Sequence, residues 1–232
     1  MLEMKRILSQ MISDKNKGKK SLAILIDPDK SFDEKLLQKI KPDYIFVGGS
    51  LLKKDNLDDC ILRIKQITEV PVIIFPGDFT QISKHADGIL FLSLISGRNP
   101  EYLIGQHIKA APVLAQTDLE IISTGYILIE NGKTTSVEYV SNTRPIPRDK
   151  PEIALATALA GQMLGMQTIY LEAGSGALHP VPLKTVSLLA EKLQIPIIVG
   201  GGIRTREEIE KYFAVGADIV VVGTAFEQGK FV

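Results

Sequence analysis

Short apolar runs rich in β-branched residues recur along this chain, and most are followed by a stretch with helical spacing. The runs cover residues 22–26, 44–47, 72–75, 89–91, 120–124, 168–171, 197–199 and 219–222. Runs of this length and composition are the pattern of strands buried on both faces of a parallel sheet. Amphipathic stretches at 57–67, 102–111, 152–164, 182–193 and 206–215 are long enough for helices between them. Alternation of strand and helix predicts an α/β fold, and eight such units predict a (β/α)₈ TIM barrel.

The rhythm breaks in several places. Between the third and fourth strands only residues 78–84 are free for a helix. The third barrel helix is therefore expected to be short or replaced by an irregular segment. Residues 126–151 form an insertion with a hairpin signal at Asn131-Gly132. The prolines of Thr143-Arg144-Pro145-Ile146-Pro147-Arg148 predict an extended segment after it. Leu2, Ile7, Leu8, Met11 and Ile12 predict a helix over residues 1–13, and the last barrel helix must be very short. No linker appears, so the expectation is one barrel domain over 1–232, with 1–20 as N-terminal helix and connector.

Composition narrows the function. Of 232 residues 45% are hydrophobic, enough for one sizeable core. Lys+Arg and Asp+Glu are both 27, so the formal net charge is zero. That argues against a general nucleic-acid binder. The only basic run, Lys15 to Lys20, reads as a solvated connector. The single cysteine, Cys60, fits a reducing, cytoplasmic setting and reads as packing. No run approaches the roughly 20 apolar residues of a membrane span, and the first residues do not read as a signal peptide. A membrane-derived substrate stays compatible with this.

Three strand ends in the second half carry the strongest chemical signal. They read Tyr170-Leu171-Glu172-Ala173-Gly174-Ser175-Gly176, then Val199-Gly200-Gly201-Gly202, then Val222-Gly223-Thr224. Glycine lets backbone N–H groups close on a phosphate at the start of the next helix. The last loops of a (β/α)₈ barrel are where such a site is built. Glu172, between these turns, is a candidate general base; the competing reading is a structural acid paired with Arg204. Tyr170 can donate to a phosphate or simply pack.

The first two strands end in Asp27-Pro28-Asp29-Lys30 and Val47-Gly48-Gly49-Ser50. A carboxylate and a hydroxyl on neighbouring strands can share Mg²⁺, which takes few protein oxygens beside substrate phosphates. Both segments also fit plain turns, with Asp29 and Ser50 as helix caps. His85 and His107 read as helical surface or packing positions, and His179 lies in the loop after the phosphate turn. No zinc spacing, nucleophile elbow or Walker loop is present. A sugar-phosphate isomerase or lyase fits the glycine turns equally well; a non-catalytic phosphate-ligand binder is the other alternative, against which Asp27, Ser50 and Glu172 argue.

At Asp-Pro-Asp-Lys from Asp27, Val-Gly-Gly-Ser from Val47, Tyr-Leu-Glu-Ala-Gly-Ser-Gly from Tyr170, Gly-Gly-Gly-Ile from Gly200 and Val-Val-Gly-Thr from Val221, the chain resembles geranylgeranylglyceryl phosphate synthase. The resemblance runs from about residue 22 to residue 226. It implies a barrel prenyltransferase that joins sn-glycerol 1-phosphate to geranylgeranyl diphosphate, as in ether phospholipid biosynthesis, and releases diphosphate. It implies Mg²⁺ at Asp27 and Ser50. Tyr170, Leu171, Glu172, Ala173, Gly174, Ser175, Gly176, Gly201, Gly202, Gly223 and Thr224 would hold glycerol phosphate, with Glu172 at the reacting hydroxyl. It also implies a homo-oligomer, a dimer or larger. Leu25 stands where one branch of the family has lysine, and Thr224 where it has asparagine. The loop after Glu172 and the segment 143–148 resemble the other branch, known from archaea and some bacteria. Phe75, Phe91, Leu94 and Ile95 are the expected liners of a prenyl groove, with ordinary core as the competing reading.

Overall fold

The structure, a computed structural model, describes residues 6–54 and 56–231. Eight parallel strands close into a barrel in sequence order: β1 (Ser21–Ile26), β2 (Tyr44–Val47), β3 (Val72–Ile74), β4 (Gly88–Leu94), β5 (Glu120–Leu128), β6 (Thr168–Glu172), β7 (Ile197–Gly200) and β8 (Ile219–Val222). Closure runs through β1 and β8, with Ser21 opposite Ile219 and Ile24 opposite Val222. The helices are α1 (Arg6–Asn16), α2 (Glu34–Ile40), α3 (Leu57–Ile67), α4 (Gln106–Leu114), α5 (Ser136–Ser141), α6 (Pro151–Met163), α7 (Leu183–Ala190), α8 (Arg206–Ala214) and α9 (Thr224–Glu227). A π-helical turn, Glu101–Gly105, leads into α4. No described helix is long and apolar enough to cross a membrane.

Two apolar layers follow from the alternation along the strands. Residues of one parity, among them Ala23, Phe46, Ile73, Leu90, Ile122, Tyr170, Ile198 and Val221, fill the barrel interior. Residues of the other parity, such as Ile24, Ile45, Ile74, Leu171 and Val199, pack beneath the helices. The interior parity carries on past the strand ends, to Asp27, Gly48, Phe75, Glu172 and Gly223. This is how the barrel delivers chemistry to one rim. At the opposite rim α1 acts as a stopper: Ile7, Leu8 and Met11 join the interior layer. Glu120, at the start of β5, accepts the backbone N–H groups of Ile7 and Leu8, each at 2.8 Å.

As the short spacing implied, residues 78–84 form no helix, and β3 returns to β4 through an irregular segment. Other expectations need correction. Asn131-Gly132 makes no hairpin. The chain instead forms α5, and the segment after it runs parallel to β5 through a bridge between Ile129 and Ile146. A two-residue turn would force an antiparallel return, which the parallel barrel cannot use there. The Lys15–Lys20 run is not free: Lys15 and Lys20 pair with Asp218, and Lys19 with Asp14. His85 sits in a turn, not a helix. Leu2 and the start of the expected first helix lie outside the described residues.

Candidate active site

Two recesses open at the C-terminal rim of the barrel. The larger has a volume of about 850 Å³ and is the more polar of the two, lined by Asp27, Ser50, Tyr170, Glu172, Gly174, Ser175, Gly176, Gly201, Gly202, Gly223 and Thr224 among others. The second is an apolar cleft, with Phe91, Leu94, His107 and Leu114 in its walls. It lies against the irregular segment between β3 and β4, where a barrel helix would otherwise pack. Ser50, Phe75, Tyr126, Val137 and Val140 belong to the walls of both. The two recesses therefore meet.

Glu172 ends β6 and is only 5% exposed. Burial raises its pKa from 4.5 to about 7, opposed by backbone N–H groups of Gly174 and Ala173 and by the nearby Tyr170 hydroxyl. The Gly174 N–H donates to Glu172 Oε1 at 2.5 Å. The Tyr170 hydroxyl approaches the carboxylate but makes no aligned hydrogen bond. Arg204 does not pair with Glu172; its guanidinium donates to the Ala177 carbonyl at 2.9 Å. Glu172 is thus a buried carboxylate steadied by backbone, with a pKa near neutrality, as a general base needs.

Backbone makes the rest of the polar wall. Gly201 and Gly202 have φ of +85° and +77°, a region that side chains rarely adopt. A Cβ on Gly201 would lie 2.2 Å from Glu172 Oε1 and 2.6 Å from the Gly174 nitrogen. Glycine there is what allows the β6 and β7 loops to touch. Ser175 Oγ lies 3.2 Å from Thr224 Oγ1, which ties the β6 loop to the β8 end. The first turn of α9 leaves N–H groups without intrahelical partners, beside Gly223 and Thr224. Leu171 and Ala173 are fully or almost fully buried and face the helix layer. Their side chains are packing, so only their backbone is available to a ligand.

On the opposite wall Asp27 follows β1 and Ser50 follows β2. Asp27 Oδ1 accepts the Asp29 N–H at 3.0 Å, and Lys30 Nζ lies 3.2 Å from its other oxygen. Lys30 also reaches Glu227 Oε2 at 2.8 Å. Burial lowers the Lys30 pKa, but Glu227 and Asp27 outweigh it and the net shift is upward. A Cβ on Gly49 would come within 3.6 Å of the Asp27 carboxylate, which places that group over the chain just before Ser50. Leu25 stands against Gly223 and puts an apolar side chain into the polar wall.

Of the expected groove liners, Phe75, Phe91 and Leu94 line the cleft. Ile95 does not; it packs near Gly125 and Gly161, between β5 and α6. His179 is exposed, by Gly132, and outside both recesses. Sequence reasoning missed Tyr126, Val137, Val140, His107 and Glu227. Tyr126 was recoverable, because Ile122, Thr124 and Tyr126 share the interior parity and β5 simply runs longer than its β-branched core. His107 is 8% exposed, with its ring edge-on to Phe91 at 4.4 Å. Burial lowers its pKa, so it is neutral in the cleft. Nothing in the sequence sets this histidine apart from a packed one.

A closed parallel barrel with a glycine-walled polar chamber and an adjoining apolar cleft defines a barrel enzyme for a substrate with a charged head and an apolar body. The comparisons are more specific: the chain belongs to the PcrB family, which it matches over residues 15–230. It is 55% identical to geranylgeranylglyceryl phosphate synthase of Flavobacterium johnsoniae, covering 95% of this chain and 93% of that one. It is 42% identical to the synthase of Pyrococcus furiosus, covering 95% and 90%. Among solved structures it resembles the Thermoplasma acidophilum (S)-3-O-geranylgeranylglyceryl phosphate synthase in complex with its substrate sn-glycerol-1-phosphate. The TM-score is 0.89 at 36% identity, covering 96% of this chain and 92% of that one.

Proposed function

We infer that this chain is a prenyltransferase that joins sn-glycerol 1-phosphate to a polyprenyl diphosphate through an ether bond at the 3-hydroxyl. The observation that carries it is the meeting of the two recesses at Phe75 and Tyr126, with Glu172 in the polar one. A phosphate monoester fits the glycine wall of β6, β7 and β8, and an apolar tail fits the cleft. Their reactive ends then come together at the shared wall. The names of the relatives support this assignment and favour geranylgeranyl diphosphate as the second substrate.

Each group has a task in this reading. Backbone N–H groups around Gly174–Gly176, Gly201, Gly202, Gly223 and Thr224 hold the glycerol phosphate. Glu172 aligns the 3-hydroxyl and accepts its proton as the oxygen bonds to the allylic carbon. The diphosphate leaves from the side of Asp27 and Ser50. One carboxylate and one hydroxyl suit Mg²⁺, a hard cation that completes its shell with waters and phosphate oxygens. The described residues hold no group of three or more His, Cys, Asp or Glu that could hold an ion. Asp27 and Ser50 would hold Mg²⁺ there, and the ion would supply charge neutralisation to the leaving group. Holding both substrates in one orientation supplies much of the remaining acceleration. The reading includes self-association, supported by the exposed Ile104 in the π-helical turn and Ile108 in α4.

The test is an incubation of the protein with sn-glycerol 1-phosphate, prenyl diphosphates of several lengths and Mg²⁺, read by product mass. An ether product that vanishes with EDTA and returns with Mg²⁺ is expected. Turnover of a sugar phosphate without any prenyl donor would replace this reading with an isomerase.

A further inference from the structure

The wall shared by the two recesses is aromatic. Phe75 lies with its ring centroid 5.1 Å from Tyr170 and 5.8 Å from Tyr126, and the two tyrosines are 5.4 Å apart. Phe46 stacks behind Phe75 at 6.4 Å, with the rings 2° from parallel. Tyr126 and Tyr170 are buried, and Phe75 is half-buried. The tyrosine hydroxyls stay protonated: burial, and then the charge of Glu172, hold both well above their ordinary range. The cluster is thus a neutral set of ring faces and edges at the one place both substrates must reach.

An allylic diphosphate reacts there by loosening its C1–O bond. Both electrons leave with the diphosphate, and positive charge spreads over the allylic carbons until the glycerol oxygen bonds to C1 and gives its proton to Glu172. Glu172 and the diphosphate lie on the polar side of this event. On the apolar side Ile89, Leu90, Leu92 and Leu94 continue the wall, and the one charged residue lining the cleft, Asp78, has its carboxylate taken up by Thr80. Aromatic rings attract a cation through their quadrupoles without attracting the neutral ground state to the same degree. Stabilisation of that kind appears only as charge develops, which makes it catalytic and not merely adhesive.

We propose that Phe75 and Tyr126 are catalytic residues that stabilise the developing allylic cation through their rings, with Tyr170 and Phe46 holding the pair in place. The proposal rests on the prenyltransferase reading. Its test separates the two. A polyprenyl chain ending in trimethylammonium is compared with the same chain ending in tert-butyl, each titrated with Mg²⁺ and inorganic diphosphate into the protein by calorimetry. Glu172, Asp78 and diphosphate attract the cation in every variant, so substitutions isolate what the rings add. The wild type is expected to prefer the cation by about thirtyfold or more. Phe75→Leu and Tyr126→Leu should each lose most of that preference, and Tyr126→Phe, which retains the ring, should keep it. In turnover the leucine variants should lose kcat by a similar factor, with KM for both substrates changed less than roughly threefold.

A merely structural role would move KM or the melting temperature and leave the cation preference intact. That result, or equal affinity of the wild type for the two probes, overturns the proposal. If a leucine variant does not fold, mono-, di- and trifluorinated phenylalanine at position 75 keeps the shape and withdraws the ring's negative face. The preference should then fall stepwise, and a flat series overturns the proposal equally. Wild-type protein that forms no ether from the two substrates defeats the prenyltransferase reading instead.

Discussion

The two recesses at the barrel rim are built from different materials. Backbone makes the polar chamber on the β6, β7 and β8 side, where Gly201 and Gly202 take a conformation denied to most residues and Glu172 is steadied by N–H groups. Side chains make the apolar cleft on the β3 and β4 side, where Phe91, Leu94 and Leu114 close a gap left by a missing helix. The difference teaches what each can tolerate. A backbone site fails when any atom is added, because the neighbouring strand ends cannot retreat. A side-chain site accommodates exchange of one apolar group for another, because volume and not geometry defines it.

The most damaging test of that contrast is Glu172→Gln. It keeps the shape and removes the proposed base, and kcat should fall about 10²- to 10⁴-fold in single-turnover measurements. A loss under about tenfold would remove Glu172 from the chemistry. Next comes Gly201→Ala, whose Cβ would sit 2.2 Å from Glu172 Oε1. Strain of about 1–3 kcal/mol at this φ, together with the displaced loop, should weaken sn-glycerol 1-phosphate by roughly 30- to 100-fold. Affinity for a prenyl diphosphate should hardly change.

The pH dependence is smaller but carries a sign. In the proposed role Glu172 acts ionised, so kcat/KM should climb about tenfold per pH unit below about 7 and level off above it. Stability moves the other way. Between 4.5 and about 7 the folded protein keeps a proton on Glu172 that the unfolded chain has released. This residue's contribution to stability is therefore lost as pH rises through that window, by about 3 kcal/mol in all. Denaturant titrations at several pH values should show the slope in the wild type and not in Glu172→Gln. The mildest change is Phe91→Leu in the cleft, expected to raise KM for the prenyl donor by about two- to fivefold. Sensitivity there as great as at Gly201 would erase the distinction between the two recesses.

What the sequence revealed follows the same division. The strands were legible from β-branched runs, and the missing third helix from the short spacing between residues 75 and 89. The polar chamber was legible because glycine at a strand end has few uses besides a tight turn or a close approach. The cleft was much less so. Phe91 and Leu94 look like any core residues until topology shows that no helix covers them. Ile95 looked the same and faces the opposite layer. Tyr126 was overlooked because β5 extends beyond its β-branched segment, although the interior parity from Ile122 reaches it. The insertion misled for a local reason: Asn131-Gly132 is a good hairpin turn in isolation, but a parallel barrel needs a chain that comes back by a crossover.

The stopper at the far rim has a consequence for traffic. With α1 seated under the barrel and its first N–H groups held by Glu120, the described residues leave reactants and products the C-terminal rim, where both recesses open. Whichever molecule enters last must leave room for diphosphate to depart before the greasy product can slide out. An excess of the tailed reactant should consequently jam its own enzyme, and the order of loading becomes a property of the architecture.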